Sequence, residues 1–239
     1  SGKERGHVDS HFHGRSVSLR GLLEYGLVAG DPHICDFVRT SYEYMRSFGI
    51  PEIGFIPVFM PDDMEPNLYR YMEGCFLGDY AALALKLSQA GYGDYWEDAD
   101  RLVRNQMAEG QLVDRGLLEQ IVANSPLRPP GSDYNLWTRD QRRHFQTASG
   151  MEYTGDDVLD RVLGTFPGVQ GVTSVDFPWS MQCCTGNATS GIYYAWESVT
   201  RCEGDHAQVN LFLNRAAPWL DIDSWLPYEG RVVIKNKTA

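Results

Sequence analysis

CFLGDYAALALKLSQAGYGDYWEDADRLVRNQM, residues 75–107, decides the fold class. Its first half predicts a helix over 75–89. The Gly91-Tyr92-Gly93-Asp94 break then interrupts the pattern, and a second helix is predicted from 95 to about 107. The same unit stands upstream. Val17, Leu19, Leu22, Leu23 and Leu27 mark a helix over 13–29, and Gly30-Asp31-Pro32 stops it. Ile34, Phe37, Val38, Ser41, Tyr42 and Met45 then line one side of a helix over 32–48. Two helical hairpins, with Gly30-Asp31 and Gly93-Asp94 as equivalent joints, predict a mainly α chain. A hairpin buries one face only and needs neighbours for the rest, so a ring or stack of hairpins is expected.

Residues 113–180 are less regular. Pro126, Pro129, Pro130 and Gly131 mark a long loop, and a short helix is predicted around 156–163. A last helix is expected from Gly186 to about 200, carrying Ile192, Tyr193, Trp196 and Val199. Strands follow, over 209–213 and 231–234, where β-branched and apolar residues take over.

Composition narrows the function classes. The 239 residues are 43% hydrophobic and 12% aromatic, with a formal charge of -11. Binding to nucleic acid rests on clustered Lys and Arg, so it is not expected. No apolar run reaches the roughly 20 residues of a membrane helix, and a membrane partner is not expected either. Residues 1–7 are polar and lack the apolar core of an export signal. The chain reads as a fragment of a longer protein. Its compartment stays unknown, and cytoplasmic is favoured if the longer protein also lacks a leader.

Five cysteines cannot all pair, and Cys183 and Cys184 are adjacent, so reduced thiols are expected. Cys183-Cys184 falls just ahead of the last predicted helix, and a helix N-terminus favours a thiolate. Two small buried residues are the plain alternative. Glu73-Gly74-Cys75 stands at another helix start. Together these segments offer three sulfurs and one oxygen, the donor set tetrahedral zinc prefers, so Glu73, Cys75, Cys183 and Cys184 are the candidate Zn2+ ligands.

His11 and His13, next to Arg15, are candidate donors to sugar hydroxyls, or else solvent-exposed loop histidines. Trp179, on a loop, is the candidate stacking residue, whereas Trp196, Trp219 and Trp225 read as core. Cys35 and Cys202 read as idle thiols. The Asn187 and Asn236 sequons read as chance matches. Phosphate loops, serine-esterase elbows and H-E-x-x-H helices are absent from the sequence, which removes support for those chemistries.

The run from Pro66-Asn67 to Tyr71, then Glu73-Gly74-Cys75, and far downstream Cys183-Cys184 with Asn187, resembles the bacterial β-L-arabinofuranosidases of glycoside hydrolase family 127. The resemblance implies part of an (α/α)6 barrel over 1–204 and the first strands of a β-sandwich domain over 205–239. It also implies zinc held by Glu73, Cys75, Cys183 and Cys184, with Cys183 as nucleophile of a retaining glycosidase. His13, or His11, would meet the substrate. One position departs from the pattern. The family's acid/base Glu lies about sixteen residues before the zinc Glu, which here is Pro57, and proline transfers no proton. Glu52 and Glu65 are the first replacements, ahead of Asp62 and Asp63. The pair also continues as Thr185-Gly186-Asn187, where the family often has prolines.

The expected activity is therefore hydrolysis of arabinofuranoside-like or related glycans, with carbohydrate as the partner. A helical carbohydrate-binding or scaffold domain with a structural zinc is the alternative. A lyase on a similar helical frame, using Tyr or His as base, is the third reading.

Overall fold

A computed structural model describes residues 11–59, 71–124, 157–171 and 182–237. The chain is mainly helical, with small antiparallel sheets toward its C-terminal end. It divides into two compact units, one of residues 1–111 with 165–239, the other of residues 112–164.

In the first unit, α1 (Phe12–Ala29) and α2 (Pro32–Arg46) form the first hairpin, and α3 (Gly74–Gln89) and α4 (Trp96–Arg101) the second. The first joint works as its sequence predicts. Gly30 takes the left-handed conformation (φ 64°), Asp31 Oδ1 accepts from the His33 and Ile34 amides, and Pro32 opens the helix. The second joint differs. Its left-handed glycine is Gly91 (φ 77°), and the cap comes from Ser88, whose Oγ accepts from the Tyr95 amide at 2.8 Å. Gly93-Asp94 is therefore not the counterpart of Gly30-Asp31. The helix predicted to 107 also changes pitch, passing from α4 into a π-helical stretch over Leu102–Met107 and ending in a turn at Ala108–Gly110. Asn105 and Gln106 there both donate to the Ile53 carbonyl.

Helix α3 is central. It packs against α1, α2, α4 and the late helix α7 (Gln182–Ser198), and eleven of its first twelve residues are buried. The contact with α7 is unusually close. A Cβ on Gly78 would sit 1.9 Å from the Asn187 carbonyl oxygen, and one on Gly191 2.6 Å from the Gly78 Cα. Only glycines permit the two backbones to meet this way. Helix α7 already includes Gln182, ahead of the predicted start at Gly186, and tertiary packing overrides the poor helix propensity of that glycine.

Ahead of α3, β1 (Tyr71–Glu73) pairs antiparallel with β2 (Val169–Gly171), Glu73 opposite Val169. After α7 come the hairpin β3 (Thr200–Glu203) and β4 (His206–Val209), then a three-stranded sheet of β5 (Arg215–Ala216), β6 (Leu220–Ser224) and β7 (Val232–Asn236) in that order. Leu220 and Ile222 alternate into the core. The strand predicted over 209–213 keeps only Val209. Asn210 and Leu211 instead turn back to the Val199 carbonyl, and the Asn210 amide donates to Ser198, satisfying carbonyls freed at the end of α7. The boundary predicted at 204/205 falls at the turn between paired β3 and β4.

The second unit holds α5 (Arg115–Asn124), in a stretch whose sequence predicts little regularity, and α6 (Val158–Val162), inside the predicted 156–163. Arg115 pairs with Asp160 and Glu119, and the Gly164 amide donates to the Leu112 carbonyl at 2.7 Å. No helix among the described residues is long and apolar enough to cross a membrane.

Candidate metal centre

Two helix starts meet at one place. The β1–β2 ribbon delivers Glu73 to the N-cap of α3, which puts Cys75 in the first turn, and the first turn of α7 carries Cys183 and Cys184. The approach is set by Gly74, where a Cβ would come within 3.0 Å of the Cys184 Cβ. Cysteines predicted to sit ahead of α7 thus lie inside it, next to its free amides.

The sulfurs cluster. Cys75 Sγ lies 3.2 Å from Cys184 Sγ, Cys183 Sγ 4.0 Å from Cys184 Sγ, and all three lie within 4.8 Å of one another. A tetrahedral zinc with Zn–S bonds of about 2.3 Å needs sulfurs about 3.8 Å apart, and these separations bracket that value. Glu73 Oε1 stands 4.0 Å from Cys184 Sγ, while its other oxygen meets His11 Nε2. Three sulfurs, with a buried carboxylate beside them, can hold a metal ion.

Exposure separates the three. Cys75 and Cys184 are 1% and 0% exposed, and Cys184 also donates to the Gly168 carbonyl. Cys183 alone is exposed.

Around the sulfurs runs a set of contacts from α1. His13 Nδ1 lies 2.8 Å from Asp79 Oδ2, an oblique ion-pair contact, and the ring stands beside the Cys75 sulfur. Arg20 pairs with the other Asp79 oxygen and donates to the Tyr194 hydroxyl at 3.2 Å. Asn187 completes the contacts of Cys75. The Asp79 contact, followed by that of Cys75, pushes the His13 pKa up to about 10. The Cys75 thiol is pushed up first by its contact with Cys184 and then by burial, the Cys183 thiol first by burial and then by Cys75. Crowded thiols resist shedding their protons together, and a cation among them reverses this balance.

Asp79, Arg20 and the contact of Asn187 with Cys75 were not expected from the sequence. Asp79 carries a readable sign, being the only charge in the apolar run 75–85 and one helical turn beyond Cys75. A cleft of about 200 Å³ lies farther along α3, lined by Arg20, Glu24, Lys86, Gln89, Tyr194 and Glu197 among others.

Other predicted site residues lie apart. Glu52 is exposed in a 3-10 turn (Pro51–Ile53), where Arg101 donates to the Pro51 carbonyl, and among the described residues it makes no hydrogen bond or ion pair to the sulfurs. Pro57 is buried next to Val58, whose amide donates to Tyr71. Glu65 and Trp179, with Asp62 and Asp63, lie outside the described residues. Trp196 and Trp225, read as core, are surface residues covered by the guanidinium groups of Arg215 and Arg231 at 3.5 and 3.7 Å from their rings. All five cysteines are free, Cys35 buried and Cys202 exposed. No family model, no curated protein and no solved structure matches the chain.

Proposed function

We propose that this chain is the zinc-binding part of a retaining glycoside hydrolase acting on arabinofuranoside-like or related glycans, with Cys183 as its nucleophile. The observation that carries this reading is the division among the sulfurs: two are buried, as ligands would be, and the third, in the same cluster, is exposed. Zinc held by Glu73, Cys75, Cys183 and Cys184 would keep the thiols ionised near neutral pH. The Cys183 sulfur attacks the anomeric carbon, the glycosidic C–O bond breaks, and a carboxylic acid gives its proton to the departing oxygen. Water, deprotonated by the same carboxylate, then displaces the sulfur, with net retention. Glu52 and Glu65 are the proposed acids, and His11 is the proposed donor to sugar hydroxyls, since His13 is turned toward Asp79 and Cys75. The helical hairpins would belong to an (α/α)6 barrel and the late strands to a β-sandwich domain.

Elemental analysis combined with turnover of a β-L-arabinofuranoside tests this reading. About one zinc per chain, and a loss on the order of 10⁴-fold in turnover in Cys183→Ser, are expected. Undiminished turnover in that variant would sink it. The second reading, a carbohydrate-binding or scaffold domain with a structural zinc, is favoured by Pro57 at the family's acid position and by the exposed place of Glu52. Its sign is stoichiometric zinc with no turnover in wild type.

A further inference from the structure

We propose, on the footing of the zinc reading, that His11 and His13 are positioning residues for the metal ligands: His11 fixes the Glu73 carboxylate, and His13, held by Asp79 and Arg20, fixes the Cys75 sulfur. Arg20 stands seven residues, about two turns, beyond His13 on α1, so both project from one stripe. Asp79 stands one turn beyond Cys75 on α3. The stripes face each other as two rungs, His13 on Cys75 and Arg20 on Asp79, with the 2.8 Å contact between His13 and Asp79 as the diagonal. A histidine fixed from one side by a buried carboxylate can turn only its remaining edge to the sulfur.

Charge gives the arrangement its purpose. Three thiolates and one carboxylate carry four negative charges against the two positive charges of zinc, in a place where Cys75, Cys184 and Glu73 are all shielded from water. Excess ligand charge in a dry site needs hydrogen-bond donors aimed at the ligands. His11 supplies one through Nε2 to Glu73 Oε2, and His13 stands beside Cys75, where it can supply the other. Asp98, another buried acid paired with an arginine, meets Tyr42 and Arg46 and, among the described residues, makes no hydrogen bond to a sulfur, so an ion pair alone does not produce this pattern.

The test is zinc affinity by competition with a chromophoric chelator, using the full 239-residue chain, together with the thiolate-to-cobalt band of the Co2+ form. His13→Ala is expected to weaken zinc binding about ten- to a hundredfold and to move the cobalt band, with Asp79→Asn and His11→Ala each losing about tenfold. His13→Gln, which keeps an N–H donor, is expected to recover most of the loss. Unfolding midpoints in excess chelator separate ligand positioning from scaffold stability, and Asp79→Asn and His13→Gln carry the test if His13→Ala does not fold. Zinc affinities within twofold of wild type in the folded variants, with an unmoved cobalt band, would overturn the assignment even if their stability fell. A wild-type chain that binds no zinc removes the zinc reading itself, and this inference with it.

Discussion

The two sides of α3 solve the same packing problem in opposite ways. Toward α7, Gly74 and Gly78 remove side chains so that backbone meets backbone. Two residues along the chain, about 200° around the helix, Phe76 and Tyr80 fill the opposite side with rings, Phe76 against Phe12 at 5.7 Å and Tyr80 stacked on Tyr42 at 4.4 Å. Each side also has a buried acid nearby, Asp79 (1% exposed) with Arg20 and His13, and Asp98 (6% exposed) with Arg46 and Tyr42. On the aromatic side the polar contacts close on one another. On the α7 side they run on to a sulfur cluster with an exposed member. A buried acid with its arginine is therefore no mark of a site in itself, and its meaning depends on what the next contact reaches.

The sharpest way to break this contrast is Gly78→Ala. Its Cβ meets a backbone oxygen, which cannot rotate away, so α3 and α7 must separate. About 3 kcal/mol of stability should be lost, measured by chemical denaturation, and zinc affinity should fall with it because Cys183 and Cys184 ride on α7. A variant with wild-type stability and affinity would show that the seam does not set the cluster. Next is Asp98→Ala on the aromatic side. It leaves the buried Tyr42 hydroxyl without its acceptor, while Arg46, a third exposed, can turn to water. About 2 kcal/mol should be lost with zinc affinity unchanged. A parallel fall in zinc affinity would break the separation of the two sides.

Much of this was legible in the sequence, and the limits have physical reasons. Helices α1, α2 and α3 follow from periodicity, because amphipathic spacing and stop residues are local properties. The meeting of Glu73, Cys75, Cys183 and Cys184 was read from donor chemistry and helix starts, and the cluster of three sulfurs has formed. The π-helical stretch over Leu102–Met107 leaves no mark in spacing, since it depends on what α4 packs against. Tertiary contact likewise carries α7 through Gly186, where glycine's poor propensity argued for a start. Asp79 looked like a helix residue because its partners, His13 and Arg20, lie about sixty residues away. The second joint departs from its expected form because spacing does not tell Gly91 from Gly93, and the turn rests on left-handed Gly91 and on the Ser88 cap of Tyr95.

The smallest effect falls on the aromatic side and tests it by pH. The Tyr42 hydroxyl is wholly buried and donates to Asp98 at 2.9 Å, and its pKa is raised well above the ordinary value, first by burial and then by Tyr80 and Asp98. The folded chain therefore keeps a proton that the unfolded chain loses above about pH 10. Stability from this group is fully present below that pH and is lost as pH rises beyond it, by about 1.4 kcal/mol per pH unit. Tyr42→Phe should cost about 1 kcal/mol at pH 7, through the lost hydrogen bond to Asp98. It should also flatten the alkaline decline by one proton's slope, leaving the share of Tyr80 and Tyr95, whose hydroxyls are raised as well. Urea titrations at pH 7, 10 and 11, read with tyrosinate absorbance, measure both effects. Parallel declines in wild type and variant would mean that Tyr42 ionises in the folded chain, and that the aromatic side of α3 is more open to water than its packing implies.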